Sequence, residues 1–395
     1  MTARSAGLGA LIVAVVLVGL NLRAPIVGIA PLIPALSADL GLAPTTAGLL
    51  TSLPLLCFAL VSPLVAPLAR RLGPDGALLM GLGLLAVATV FRPWGSGLVL
   101  LAGTALVGVA VTVGNVVVPV IVRRDAGTRA PMVMAISTSA YGAGQGLTAA
   151  AAVPVADEIG WRGAMTFLAV PIVIALAVWL MRLRAARGGP VIVPAAGVPR
   201  GAVWRQVDAW WLALFFGMQA TLFYSASTWL PTQLAQEAST GEELAGTALS
   251  IFHLMGITGT LAVPAVMRLL RGGVRAGIAF GALWSLFFAG LALAPELWPI
   301  WVVVGGFTQG AGIGLGLTLI AMRPVDADYG RDLSAMVQTA GYALAAAGPV
   351  LLGWVHEASG SWALVAWLCA GGGAVMCVAA PRAGAARPIG APAGR

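Results

Sequence analysis

Arg23 lies inside the run "VVLVGLNLRAPIVGIAPLIPAL", residues 15–36, in which Asn21 is the only other polar residue. A guanidinium keeps its proton and offers a planar fork that can hold two oxygens, so one chemistry open to Arg23 is contact with a small anion or a strongly dipolar molecule. The other is structural: Pro25, Pro31 and Pro34 each withdraw a backbone amide, and an arginine could bond the carbonyls left free. Further along, Tyr141 and Gln145 are four residues apart, as are Gln338 and Tyr342, so each pair shares a helix face and could line a polar cavity. Asn21 and Gln219 are isolated amides with two possible uses, a cavity-facing contact or an interhelical hydrogen bond. On an ideal helix Asn21 lies about 200° around from Arg23, so both face one cavity only if the helix is irregular there. His253 is the one histidine well inside an apolar run, and its ordinary pKa near neutrality opens three roles: proton carrier, substrate contact or hydrogen-bonding core residue. For Asn115 and Gln309, in glycine-rich surroundings, helix packing is the favoured reading.

The elements that must position these groups follow from composition. The 395 residues are 59% hydrophobic and 9% charged, with mean hydropathy +0.96, against about 25% charged residues in soluble domains. Apolar runs recur along the whole length, each long enough to cross a hydrocarbon core of about 30 Å as a helix, so a soluble domain behind a single secretory signal is excluded. Twelve helices are expected, at about 8–36, 44–69, 76–93, 97–122, 131–155, 163–182, 208–231, 243–269, 276–294, 297–322, 333–355 and 362–380. The fold expected is an all-α polytopic membrane protein of two six-helix bundles, 1–182 and 208–381, joined by a Gly-, Pro- and Arg-rich linker at 183–207 and followed by a tail at 382–395.

All 22 basic residues are arginines, the mark of a GC-rich genome, and 19 of them fall at the N-terminus, in even-to-odd loops, in the linker or in the tail. Apart from Arg23, only Arg92 and Arg162 remain, assigned to the opposite loops among acids such as Asp39, Asp157 and Glu158. The positive-inside rule then predicts cytoplasmic termini and linker, and it gives the net charge of +8 a use other than binding nucleic acid. Cys57, Cys369 and Cys377 lie in apolar runs without metal or redox spacing and are expected as small core residues with no disulfide.

The two halves repeat. "AYGAGQGLTAAAAVPVADEIGW" (140–161) and "GYALAAAGPVLLGWVHEASGSW" (341–362) align at an offset of 201, and Gly19-Leu-Asn21 aligns with Gly217-Met-Gln219 at 198. A duplicated six-helix unit of this kind is how two-bundle transporters are built, with the substrate site near the midplane. The architecture resembles the major facilitator superfamily. More narrowly, "NLRAPIVGIAPLIPAL", "AGLLTSLPLLCFALVSPLVAPLARRLG", "GNVVVPVIVRR", the "FYSASTWLP" that follows Gln219, and "LSAMVQTAGYALAAAGPVLLGWVHEASGSW" are similar to the cyanate/2-nitroimidazole transporter (CynX/NimT) family. "LARRLGPDG" is a degenerate form of the superfamily's loop between helices 2 and 3, which puts a gating role for Asp75 in doubt.

The resemblance implies an alternating-access secondary transporter of a small anionic or compact polar molecule in a bacterial inner membrane, a monomer by family default. Arg23 would supply charge, and Gln219, Tyr141, Gln145, Gln338 and Tyr342 hydrogen bonds. An exporter of a toxic or secreted molecule on the same scaffold is the alternative. From other classes, a polytopic enzyme and a non-transporting sensor also stay open. No deep Asp or Glu is expected in any span, which leaves Arg23 without an obvious carboxylate and disfavours a carboxylate proton relay. "GAGQG" (142–146) and "GAGIGLG" (310–316) follow no strand and are expected to be helix-packing glycines rather than phosphate loops; "HEASG" (356–360) lacks the second histidine of a zinc-protease motif, and no GxSxG elbow occurs. No cofactor, metal or enzymatic activity is therefore expected.

Overall fold

The computed structural model describes residues 2–185, 201–238, 241–325 and 327–390. Most of the linker and the last five residues of the tail fall outside these. Its contacts divide the chain into two compact units, Met1–Leu42 with Leu56–Ala196, and Ala43–Leu55 with Gly197–Arg395.

In the first unit the opening span is broken. It runs as α1 (Thr2–Asn21), α2 (Ala24–Val27), a 3-10 turn over Ala30–Leu32 and α3 (Ile33–Leu40). Pro25, Pro31 and Pro34 each fall at the first or second position of one of the short segments, where a missing amide is tolerated. α4 (Pro44–Phe91) joins two expected spans, its helical dihedrals interrupted at Gly73, where φ is 72°. α5 (Gly97–Ala126) follows. α6 (Ala130–Phe167) is interrupted at Gly160, again at φ 72°, and α7 (Ala169–Ala185) closes the unit. Only glycine takes such a φ without strain, so these two residues mark where one span ends and the next begins.

Asp75 sits in an ionic cluster at one end of this unit. It accepts from Arg124 at 2.6 Å and from Arg182 at 3.1 Å, and both arginines also bond Asp125. The degenerate loop motif thus keeps its carboxylate engaged with cations from two other helices.

The second unit begins with α8 (Gly201–Trp204) and continues through α9 (Val207–Glu237), α10 (Gly241–Leu269), α11 (Gly273–Leu293), α12 (Trp298–Met322), α13 (Ala327–Ser359) and α14 (Trp362–Ala383). The N-terminal part of α4 belongs here by its contacts: Thr45 Oγ1 donates to Glu357 at 2.6 Å, and Thr228 donates to Thr51 at 2.8 Å. Beyond α14 the chain returns to the end of α12. The amide of Val325 donates to the Ile389 carbonyl and that of Ile389 to the Arg323 carbonyl, while the Arg323 guanidinium bonds the carbonyls of Arg382, Ala383 and Arg387 at 2.6–3.1 Å. Burial lowers the pKa of Arg323 from its ordinary value, and the Asp208 charge acts in the opposite direction.

Among the described residues ten stretches are long and apolar enough to cross a membrane. One of these, Met132–Arg184, contains the break at Gly160 and so holds two of the expected spans; the 31-residue α9, where a further span is expected at 208–231, is not among the ten.

Glycine sets the helix contacts in both units. A Cβ on Gly144 would lie 2.0 Å from the Leu20 carbonyl oxygen, and one on Gly310 would lie 1.8 Å from that of Gly256. The glycine strings are close-packing surfaces, as the missing strand predicted. The repeat is visible in the same contacts: Gly19 rests on Ser137, Ala140 and Tyr141 of α6, and its counterpart Gly217 rests on Gly341 and Leu344 of α13.

Candidate functional site

The break after Asn21 is the most irregular point of the first unit, and it carries Arg23. Arg23 caps α2 with φ −125° and ψ −29°, and its carbonyl accepts the amides of Ile26 and Val27 at 3.1 and 3.2 Å. Its side chain is half-buried, with the guanidinium carbon 5.3 Å from the centre of the Phe58 ring on α4. The planar set of N–H donors of a guanidinium is chemically suited to oxygen or nitrogen acceptors, and the Phe58 ring braces its face.

α6 runs alongside this break. Tyr141 packs beside Gly19, Gly144 against Leu20 and Thr148 against Gly28, so Gln145, itself 6% exposed, lies in the stretch that borders Arg23. The first unit therefore packs the stretch of α6 that carries Tyr141 and Gln145 against the residues on either side of Arg23.

Asn21 is turned elsewhere. Its amide nitrogen donates to Leu17 at 2.7 Å and to Pro171 on α7 at 3.1 Å, so the irregular helix does not aim it together with Arg23. Gln219 is likewise taken up between helices, with Nε2 donating to the Gln309 carbonyl at 2.9 Å and Oε1 accepting from Trp284 Nε1 at 2.6 Å. Both amides make the interhelical bonds that were one of their two readings. Gln309 packs against α10, where a Cβ on Gly256 would strike its amide.

In the second unit Gln338 and Tyr342 share a face of α13 and are half-buried. Gln338 donates to Ser334 at 2.8 Å, and Tyr342 meets Phe216 edge-on at 5.6 Å. His253 is fully buried between Phe223 and Phe252, with ring centroids 5.9 and 5.4 Å away, and neither ring nitrogen has a hydrogen-bond partner among the described residues.

One residue departs from its expected place. Arg92 is not a loop cation: it is 1% exposed, and its Nη2 donates to the Pro25 carbonyl at 2.9 Å. At Pro25 a donor role of the kind considered for Arg23 is taken by Arg92. The signal available in the sequence was "FRPWG", an arginine wedged between aromatic residues and proline rather than among polar loop residues.

The model of the Major Facilitator Superfamily matches residues 10–327, most of the chain and both units. The chain belongs to the major facilitator superfamily. Among its relatives, this facilitator is 34% identical over 361 residues to the 2-nitroimidazole transporter of Escherichia coli K12, covering 90% of each chain. It is 27% identical over 366 residues to the cyanate transport protein CynX of the same organism, covering 90% of this chain and 92% of that one. The nucleoside transporter NupG shares the fold, with a TM-score of 0.77 at 12% identity over 94% of this chain and 98% of that one. The facilitator is thus a multi-pass membrane protein and a secondary transporter of small molecules, not an enzyme.

Proposed function

We propose that this facilitator carries a small anion or a compact polar heterocycle of the cyanate or 2-nitroimidazole kind, with Arg23 as the principal contact. The observation that carries this reading is the placement of Arg23 at a helix break within a membrane span, braced on Phe58 and bordered by α6. Tyr141 and Gln145 add hydrogen-bonding groups to this contact, and in the second unit, taken by itself, Gln338 and Tyr342 form a polar pair on α13. Asn21, Gln219 and His253 serve their bundle interiors. The names of the two Escherichia coli relatives support a cargo of this size and polarity. The arginine distribution supports an inner-membrane orientation with both termini cytoplasmic, and we propose a monomer that acts without nucleic acid.

A thermal-shift and uptake screen on purified, reconstituted protein tests the reading, with cyanate, 2-nitroimidazole, small carboxylates and neutral heterocycles as ligands. The expected outcome is that a small polar ligand stabilises and is transported by the wild type, while folded Arg23→Ala neither binds nor moves it. Equal transport of the same ligand by Arg23→Ala would make the arginine structural and overturn the assignment.

A further inference from the structure

Arg92 is the least explained charge in the protein. Its side chain is buried, one nitrogen bonds the Pro25 carbonyl, and Nε and Nη1 have no partner among the described residues. Burying a guanidinium this incompletely bonded is unfavourable, and among the described residues no carboxylate reaches it. Its position is nonetheless closely defined. A Cβ on Gly103 of α5 would lie 2.3 Å from Arg92 Cβ, so the base of the side chain fits only because α5 presents a glycine there. The carbonyl it takes belongs to the last turn of α2, whose final carbonyls have no helical amide to accept.

Pro25 is two residues from Arg23, a chain length of at most about 7 Å, which puts the bonded end of Arg92 within about 13 Å of the Arg23 Cα. Two arginines therefore serve one helix break, one carried by it and one holding its backbone.

We propose that Arg92 is a positioning and specificity-determining residue of the transport site: it fixes the α2 segment through Pro25 and adds a buried positive charge that favours anionic cargo at Arg23. This rests on the reading of Arg23 as the substrate contact. In a low-dielectric interior a charge at this range is weakly screened, so its field acts on whatever occupies the break.

Cysteine labelling reads that field without any transported ligand. In a background with Cys57, Cys369 and Cys377 changed to alanine, Arg23→Cys is reacted with the anionic sulfonatoethyl and the cationic trimethylammonioethyl methanethiosulfonates. The ratio of anionic to cationic rates should fall at least about threefold when Arg92→Gln is added, and should hold within about twofold with Arg92→Lys. Arg92→Met, of similar length, is the second neutral variant. An unchanged ratio in a folded neutral variant overturns the proposal, as does an Arg23→Cys thiol that neither reagent reaches. So does failure of both neutral variants to fold while Arg92→Lys folds, which would make the residue purely structural. In the native Arg23 background, Arg92→Gln should raise the KM for cyanate about tenfold with the maximal rate kept, and Arg92→Lys should restore most of it. If the wild type moves none of the small anions or heterocycles in the uptake screen, the proposed cargo falls, whereas the labelling ratio still decides the role of Arg92.

Discussion

Gln219 commits both ends of its amide inside one bundle, and that explains why a polar residue can be fully buried there without being a binding group. Its oxygen takes the indole N–H of Trp284 and its nitrogen a carbonyl of α12, so neither is left unsatisfied in a dry interior. A double-mutant cycle of Gln219→Leu and Trp284→Phe, followed by equilibrium unfolding in mixed micelles, should give a coupling energy of about 0.6–1.7 kcal/mol. A coupling of zero would mean that the two side chains are not bonded in the membrane. Asn21 and Arg23 show how far residue types alone can be taken. Both were visible as anomalies in an apolar run, but where the Asn21 amide would turn depended on where the helix broke and on what α7 presented. Arg92 was hidden for the opposite reason: it ends a span, so the charge count assigned it to a loop, and only the tertiary contact with Pro25 takes it inside.

The helices themselves were legible because hydropathy and glycine spacing act locally. Turns at Gly73 and Gly160 follow from backbone freedom, and the close approach of α6 to α1 follows from Gly19 and Gly144. The segmentation of the first span was foreshadowed by its three prolines, although the paths of the pieces depend on contacts far away in sequence. Close approach also sets unequal tolerances among glycines. Gly144→Ala and Gly310→Ala place a methyl group where backbone already lies and should destabilise by about 1–3 kcal/mol. Gly83→Ala and Gly371→Ala meet nothing within 4 Å at helical backbone angles and should be neutral or stabilise by up to about 1 kcal/mol. Thermal unfolding of the four variants side by side checks the ordering, and equal losses at all four sites would refute the packing account.

At the scale of the whole chain, each unit closes on itself by a different polar device. In the first, Asp75 and Asp125 join α4 and α5 to α7 through Arg124 and Arg182. In the second, Arg323 gathers carbonyls at the end of α14 and beyond it, tying the chain after α12 to residues 382–389. Arg323→Gln leaves several of those carbonyls without a donor, at about 1–3 kcal/mol for each one that water does not reach, so the unfolding temperature should drop by several degrees. A thiol-reactive dye that reports exposure of Cys369, 4% exposed in the folded protein, would register the change. An unaltered transition would mean that the end of the chain contributes nothing to holding the second unit.

The broken first span also has a consequence for how the protein is made. Pro25 and Arg92 are 67 residues apart, so at about 5–20 residues per second the ribosome delivers the arginine roughly 3–13 seconds after the carbonyl it will hold. During that interval α2 has neither this donor nor the glycine face of α6 beside it. The first segment therefore enters the bilayer before the contacts that fix its path exist, and these form only once α4, α5 and α6 have been synthesised and have come to rest against it.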